Sequence, residues 1–265
     1  MGRILAIANQ KGGVGKTTTA INLAASLAVA EQRVLLVDSD PQANASSGLS
    51  VRPGPGEAGL YEVLLGKRRM EEIIAKTELS GLDLAPATPA LVGAEIELIS
   101  RPRREAALKE ALQTAIPQYQ YILIDCPPSL GLLTLNALTA ADAVLIPVQC
   151  EYYAMEGLGQ LLKTIELVQQ LYNPDLKIEG IVLTLFDGRN RLAHQVAQEI
   201  RTYFSHRVFQ AVIPRNVTLA EAPSYGKPAL LYHIGSAGAQ AYLQLAQEAI
   251  QHAKESIGQR VGRPV

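Results

Sequence analysis

The sequence is poor in cysteine, with only Cys126 and Cys150 among its 265 residues. Both lie in apolar surroundings, and their spacing forms no metal-ligand pattern. A disulfide framework of the kind found in small secreted proteins is therefore not indicated. We expect two reduced, buried thiols in a reducing cytoplasm.

The sequence also lacks an excess of charge and a long apolar run. The formal net charge is −1, so no global positive field draws the protein to nucleic acid, and any DNA binding must use a local patch. No stretch approaches the roughly 20 apolar residues of a membrane-spanning helix, and the run at residues 4–8 is too short for a secretory signal. These absences predict a cytoplasmic, unprocessed protein without a membrane segment.

What the sequence does contain is an alternation of short β-branched runs with longer helical segments. The predicted strands cover residues 3–8, 33–37, 82–86, 121–125, 143–148, 178–185 and 208–213. Nearly continuous apolar strands are typical of parallel sheets covered on both faces. The predicted fold class is therefore α/β, with a doubly wound, mostly parallel sheet and helices on both faces.

The chain organisation follows from length and composition. With 48% hydrophobic residues, 265 residues can bury a substantial core, which predicts a single domain over residues 1–265. Residues 51–59 are rich in proline and glycine and predict a surface loop rather than a domain linker. The last residues, 258–265, are expected to form a frayed tail.

The strongest chemical signal follows the first predicted strand, where residues 11–18 read KGGVGKTT. Glycines let backbone N–H groups converge on phosphate oxygens, and the helix N-terminus adds partial positive charge. Lys16 then reaches the β and γ phosphates, while the Thr17 hydroxyl binds Mg²⁺. The predicted phosphate site consists of Lys11, Gly12, Gly13, Val14, Gly15, Lys16, Thr17 and Thr18. The ordinary motif has its first glycine where this chain has Gln10.

A lysine directly ahead of GGVGKTT resembles the deviant Walker A motif of the ParA/MinD/nitrogenase iron protein group. The resemblance implies a P-loop NTPase fold, ATP and Mg²⁺ as cofactors, and a homodimer that sandwiches two nucleotides. It also implies that Lys11 crosses to the partner's ATP and that Gly12 lies at the surface of closest approach. A lysine donated in trans would offset phosphate charge in a dry interface. The alternative for Lys11 is a solvated lysine beside the loop.

Carboxylates follow two further strands, in residues 38–44 (DSDPQAN) and 121–129 (YILIDCPPS). Ligands bind at the carboxyl ends of parallel strands, so these side chains are expected at the nucleotide site. By resemblance to the family's switch I, Asp40 orients or deprotonates the attacking water and Asp38 supports the metal. Asp125 follows Walker B logic and holds Mg²⁺ through water. The predicted catalytic set is Lys11, Lys16 and Asp40, although DSDP is also an ordinary turn and helix start.

Two more motifs, residues 147–157 (PVQCEYYAMEG) and residues 213–224 (IPRNVTLAEAPS), narrow the resemblance to ParA/Soj proteins over nearly the whole chain. The resemblance implies an ATP-dependent switch in chromosome or plasmid segregation, associated with the nucleoid. Its implied partners are non-specific double-stranded DNA and a DNA-bound ParB/Spo0J-type activator of hydrolysis. It places Pro214, Arg215 and Asn216 near the adenine base, whereas chemistry alone also allows an exposed turn.

A local basic patch is predicted at residues 187–191 (DGRNR) and along the following helix. Helical spacing puts an apolar stripe on one face, formed by Leu192, Val196, Ile200 and Tyr203, with a basic stripe roughly opposite. By resemblance, Arg189 is a non-specific DNA contact. A second basic position of the family falls at Thr218, for which Arg215 and Lys227 are candidate substitutes. The predicted DNA-binding residues are Arg189, Arg191, Arg201, Arg215 and Lys227.

Three other functions fit the same fold less well. A MinD-like membrane switch would carry a basic, bulky amphipathic helix, but residues 242–257 offer mainly Gln, Ala and Glu. A nitrogenase-like reductase needs cysteines that bridge an iron–sulfur cluster, and neither cysteine is so placed. A small-molecule kinase or ligase is the alternative from a different class, and it requires an acceptor pocket that the sequence does not reveal.

Overall fold

A computed structural model describes residues 2–54 and 56–261, and its centre is a single eight-stranded sheet within those residues. The strands are β1 Arg3–Ile7, β2 Val34–Asp38, β3 Ala75–Lys76, β4 Leu82–Ala85, β5 Tyr121–Asp125, β6 Ala143–Gln149, β7 Lys177–Phe186 and β8 Val208–Pro214. Across the sheet they lie in the order β3-β4-β2-β5-β1-β6-β7-β8. The short β3 pairs antiparallel with β4, and the remaining pairs are parallel.

Helices connect the strands and cover both faces of the sheet. They are α1 Lys16–Val29, α2 Asn44–Gly48, α3 Leu60–Leu64, α4 Leu91–Glu97, α5 Ala107–Leu112, α6 Leu132–Ala140, α7 Ala154–Leu171, α8 Arg191–Phe204, α9 Val217–Glu221, α10 Ala229–His233 and α11 Ala237–Val261. Short 3₁₀ turns lie at Met70–Glu72, Leu98–Ser100, Arg104–Ala106, Ile116–Gln118, Ser205–Arg207 and Ala222–Tyr225.

The core has two layers because successive strand residues point to opposite faces. In β1, Ile4 and Ala6 pack with α3 to α8, while Leu5 and Ile7 pack with α1 and α9 to α11. Both faces are apolar, which is why the strands lack a polar alternation. The doubly wound, mostly parallel fold predicted from the sequence is confirmed.

All seven predicted strands are present, and the prediction missed one. The missed strand, β3, has only two residues at the edge of the sheet and carries no apolar run. Residues 51–54 and 56–59 form a loop, as predicted. For the predicted frayed tail, α11 continues to Val261, and residues 262–265 lie outside the described residues.

The sheet order positions the candidate site. Strands β2, β5 and β1 are direct neighbours, so their carboxyl ends meet at one edge. In register, Asp125 lies between Ile7 of β1 and Asp38 of β2. The phosphate loop that follows β1 and the carboxylates that follow β2 and end β5 therefore converge.

Candidate functional site

The phosphate loop joins β1 to α1, and glycines set its shape. Gly13 and Gly15 have φ of +75° and +86°, in the left-handed region that strains other residues. Gly15 is the N-cap of α1, so the free N–H groups of the first turn point into the loop. This arrangement is a ready anion site.

Lys16 is held inside this loop. Its side chain is buried, and its Nζ donates a hydrogen bond to the carbonyl oxygen of Lys11 at 3.0 Å. Burial lowers the pKa of the Lys16 ammonium, while the nearby Asp125 and Asp40 carboxylates oppose that shift. A buried cation so placed is suited to bind phosphate oxygens.

Lys11 points the other way. Its Nζ forms an ion pair with Glu151 at 2.6 Å, and the Lys11 side chain keeps 36% of its exposure. Glu151 belongs to the loop after β6, so this contact lies on the rim of the site. The sequence did not predict Glu151; the only signal was its place in the motif at residues 147–157.

Asp38 is fully buried and fully engaged by its own switch segment. Its Oδ2 accepts hydrogen bonds from the backbone N–H and the hydroxyl of Ser46, at 2.8 and 2.7 Å. Its Oδ1 accepts from the backbone N–H of Asp40 at 3.2 Å. Burial raises the pKa of the Asp38 carboxyl, although these hydrogen bonds favour the charged form. Asp38 therefore orders residues 38–46.

Asp125, unlike Asp38, lacks protein hydrogen-bond partners of ordinary geometry. Both of its carboxylate oxygens are buried and lack a hydrogen bond of ordinary geometry. Burial, and then the charge of Asp38, raises the pKa of Asp125 well above its usual value, and Thr17 and Lys16 offset only part of this shift. An uncompensated buried carboxylate is costly, so Asp125 has a deficit of positive charge around it even with Lys16 nearby.

A magnesium ion fits this deficit. Thr17 lies beside Asp125, and both offer the oxygen ligands that Mg²⁺ prefers. Among the described residues, no three His, Cys, Asp or Glu side chains gather closely enough to hold a metal by themselves. The remaining ligands must come from nucleotide oxygens and water, as is usual for magnesium in phosphate sites.

Asp125→Asn is expected to stabilise the nucleotide-free protein at pH 8 by about 1 to 3 kcal/mol, because it removes an unpaired buried charge. The raised pKa of Asp125 means that the folded protein binds more protons than the unfolded chain, so stability falls as pH rises above the ordinary value of 3.8. The difference should shrink as the pH is lowered towards 5, because a lower pH favours the neutral form of the parent carboxyl. Thermal unfolding at both pH values, with chelator present, measures it; a variant less stable than the parent at pH 8 would contradict the deficit.

Asp40 follows β2 directly, and its side chain is 6% exposed. Its Oδ1 accepts a hydrogen bond from the backbone N–H of Gln42 at 2.9 Å. Among the described contacts, no protein donor is bonded to its Oδ2. The carboxylate is thus held in place with one oxygen available to a water molecule.

The predicted base site lies at the end of β8. The backbone N–H of Arg215 donates to the carbonyl oxygen of Phe186 in β7 at 3.0 Å. The Oδ1 atom of Asn216 is buried and accepts no hydrogen bond from the described protein. That unpartnered acceptor is chemically suited to a donor such as an exocyclic amine.

The predicted basic patch begins in the loop after β7. The Arg189 side chain is 90% exposed and forms a two-point ion pair with Asp187, at 2.9 and 2.8 Å. The paired guanidinium holds the pKa of the Asp187 carboxyl below its usual range. Arg189 precedes the helix, which begins at Arg191 with Asn190 as a side-chain N-cap. The ion pair between Arg189 and Asp187 was not predicted from the sequence.

The predicted apolar stripe of α8 is partly wrong. Tyr203 is 71% exposed and Leu192 is 40% exposed, so neither belongs to the core. The buried face consists of Ala193, Val196, Ala197 and Ile200. Two of these four positions are alanines, so the buried face is displaced around the helix from the one that the larger apolar side chains predicted.

The structure brings three of the five predicted DNA contacts together. Arg189, Arg191 and Arg215 lie at the carboxyl ends of β7 and β8, and Arg215 is close enough to Asp187 to lower its pKa further. Arg201 is half-buried and donates to the carbonyl oxygen of Phe209, near the amino end of β8. Lys227 pairs with Glu78 at 3.0 Å, beside β3 at the opposite edge of the sheet.

The remaining sequence predictions concern cysteines and membranes. Cys126 and Cys150 are both reduced and buried, and burial raises the pKa of both thiols, for Cys150 to about 11. Neither is placed to reach solvent. In the described part of the chain, no helix combines the length and the apolar character needed to cross a membrane.

Comparisons with known proteins identify the family. A family model described as an AAA domain matches residues 2–178. Chromosome partitioning protein ParA of Myxococcus xanthus is 60% identical over 94% of this chain and 88% of its own length. Sporulation initiation inhibitor protein Soj of Bacillus subtilis is 56% identical over 94% of this chain and 98% of its own.

A solved structure extends the agreement to the fold and the ligands. Cobyrinic acid a,c-diamide synthase from Mycobacterium smegmatis, with bound ADP and magnesium, is 41% identical, with a TM-score of 0.84 and 97% of each chain covered. These ligands match the phosphate loop and the charge deficit described above. The chain therefore belongs to the ParA/Soj family of chromosome-partitioning ATPases, with ATP and Mg²⁺ as its cofactors.

Proposed function

We propose that this protein is an ATP-dependent dimerisation switch that binds DNA non-specifically as the ATP dimer. The observation that carries the proposal is the opposite orientation of two lysines. Lys16 is buried in its own phosphate loop, whereas Lys11 points out of that loop to Glu151 on the rim. If a second subunit docks on this rim, Lys11 of the first subunit would contact the phosphates of the ATP bound to the second. A cation there would offset the concentrated negative charge of the phosphates.

The surface around Lys11 supports a second subunit as the occupant. A groove of about 510 Å³ lies beside it, lined by Gln10, Pro128, Leu130, Tyr153, Glu156, Gly157 and Gln160. Pro128 and Leu130 belong to the segment after Asp125, so a subunit docked on this groove would contact that segment. Dimerisation would therefore depend on the phosphate state of the nucleotide.

Hydrolysis is assigned to Asp40. Its free oxygen can accept the proton of an attacking water, and the Asp38 contacts keep it in position. Thr17 directly, and Asp125 through water, would hold Mg²⁺, which supplies positive charge to the transferring phosphoryl group. A DNA-bound ParB/Spo0J-type partner is proposed to accelerate this step and to release the dimer from DNA.

DNA binding is assigned to the cluster of Arg189, Arg191 and Arg215. One subunit presents only three arginines, and Asp187 neutralises part of their charge, so its affinity should be low. Two such clusters on a symmetric dimer bind the same duplex, and the second contact becomes intramolecular. This explains how a protein with a net charge of −1 associates with the nucleoid only in its ATP state.

Gly12→Val tests the dimer. A Cβ atom at Gly12 meets no atom within 4 Å, so the monomer has room for the larger side chain. We expect the variant to bind ATP like the parent but to stay monomeric, because the bulk lies where a second subunit approaches. Light scattering of parent and variant, with ADP and with a non-hydrolysable ATP analogue, measures this. Dimerisation of the variant at the parent's level would contradict the placement of Gly12.

A second candidate function is raised by the synthase among the solved relatives. An amide-forming enzyme on this fold would use the groove beside Lys11 as an acceptor pocket. We favour the partitioning switch because relatives named as chromosome partitioning proteins are 60% and 54% identical, against 41% for the synthase. An ATPase assay without any acceptor, with and without DNA and partner, separates them: a strict acceptor requirement would favour the synthase.

A further inference from the structure

Strand β7 makes a direct contact with the phosphate loop. The Thr184 hydroxyl is buried and donates a hydrogen bond to the carbonyl oxygen of Val14 at 2.8 Å. The Thr184 side chain also lies against Gly15, the N-cap of α1. The carbonyl group of Val14 faces Thr184 and β7 on one side of the phosphate loop. The backbone N–H groups of the loop are then available to phosphate on the other side.

The residue after Thr184 departs from regular strand geometry. Leu185 has a φ of +50°, in the left-handed region that a leucine rarely adopts. The pairing of β7 with β8 shifts register between Leu183 and Phe186. Such a conformation persists only where the surroundings hold it, and it often marks a functional position.

The segment beyond Leu185 is held together by several contacts of its own. Phe186 packs edge-on against the ring of His194 in α8, and His194 Nε2 lies 2.8 Å from the carbonyl oxygen of Gly188. Asp187 binds Arg189 through both its backbone N–H and its guanidinium. A displacement of Phe186 would therefore carry Arg189 with it.

We propose that Thr184 is a positioning residue that links the phosphate loop to the Arg189 loop within one subunit. The inference rests on the proposed function for the role of Arg189, and it adds a route by which bound nucleotide changes that loop before any second subunit arrives. When nucleotide binds, the phosphate loop closes around the phosphates and Val14 moves. Thr184 moves with Val14 through their hydrogen bond, and the backbone at Leu185 transmits this displacement to Phe186. Because such coupling is reciprocal, contacts at Arg189 should also change nucleotide affinity.

The test uses the full chain with ADP, so that no ATP dimer is needed. Backbone hydrogen exchange is followed at Arg189 and Asn190, whose N–H groups both bond to Asp187. In the parent and in Thr184→Ser, saturating ADP should slow exchange at these amides. In Thr184→Val, which keeps the shape but loses the hydroxyl, this response should disappear, and ADP affinity should fall about tenfold for one lost buried hydrogen bond.

Leu185→Gly provides the matched variant. It keeps the Thr184 contact but removes the constraint on the backbone, so ADP affinity should stay within about twofold of the parent's while the exchange response is lost. Retained ADP affinity together with a lost exchange response is not expected if Thr184 contributes only to the stability of the fold. Thermal unfolding of each variant checks the fold, and Leu185→Gly decides if Thr184→Val does not fold.

Two results would overturn the proposal: an exchange response in Leu185→Gly equal to the parent's, or no response to ADP in the parent. Failure of the proposed function appears elsewhere, as a parent that does not dimerise with ATP analogue in light scattering. A parent that dimerises and binds DNA, yet shows no ADP response at Arg189, removes the Thr184 link and leaves the switch intact.

Discussion

The Asp40→Ala protein is expected to bind ATP and dimerise but to hydrolyse it slower by a factor of about 10² to 10⁴, the usual contribution of a positioned proton acceptor. Its ATP dimer should therefore persist. Asp40 is buried, and its Oδ2 has no protein donor among the described contacts. The change therefore removes the free oxygen together with the contact of Oδ1 to the backbone N–H of Gln42. The backbone N–H that bonds to Asp38 is kept in the variant.

The measurement is phosphate release by parent and variant, with DNA and partner present, alongside light scattering of the ATP-bound protein. Gln42→Ala is the matched control, because its exposed side chain neighbours Asp40 while its backbone N–H still bonds to the Asp40 carboxylate. We expect the control to hydrolyse ATP like the parent. Normal hydrolysis by Asp40→Ala would assign water activation to another group.

Arg189→Glu should abolish DNA binding while leaving ATP-dependent dimerisation unchanged. The side chain is 90% exposed, so reversal of its charge does not disturb the core. The new carboxylate would lie beside Asp187, so two arginines would face two carboxylates and the cluster would lose its net positive charge. Each dimer carries the site twice, so two phosphate contacts are replaced by repulsion.

The salt dependence gives this prediction a number. Each neutralised phosphate contributes about 0.9 to the slope of log affinity against log salt, so the loss of two contacts should flatten the slope by roughly 2 where binding is still measurable. Titrations with unrelated duplexes at several salt concentrations should show no sequence preference. Unchanged affinity would place the DNA site elsewhere, and loss of dimerisation would place Arg189 in the subunit interface.

Lys227→Glu is the matched control for this charge reversal. Lys227 also forms an ion pair with a carboxylate, Glu78, but it lies at the opposite edge of the sheet. We expect its DNA affinity to equal that of the parent. A loss as large as that of Arg189→Glu would show that the DNA surface extends across the molecule.

Asp187→Asn should strengthen DNA binding, because it frees the Arg189 guanidinium from its intramolecular partner.

Much of this protein was accessible from its sequence because its signals are local. The alternation of apolar strands with helices fixes a doubly wound sheet, and KGGVGKTT requires its glycines and lysine within a few residues of each other. Asp38, Asp40 and Asp125 were predicted at one edge for the same reason: carboxyl ends of neighbouring parallel strands meet there. The roles assigned to these residues remain predictions.

Other features depend on contacts between residues distant in sequence, and only the tertiary structure decided them. The pairing of Lys11 with Glu151 joins loops 140 residues apart, and Thr184 meets Val14 across 170. The buried face of α8 includes Ala193 and Ala197 in place of Leu192 and Tyr203, a choice that hydrophobic spacing does not specify. Periodicity and motifs report what a residue and its near neighbours prefer, whereas an ion pair or a buried face is chosen by whichever partners the completed fold brings within reach.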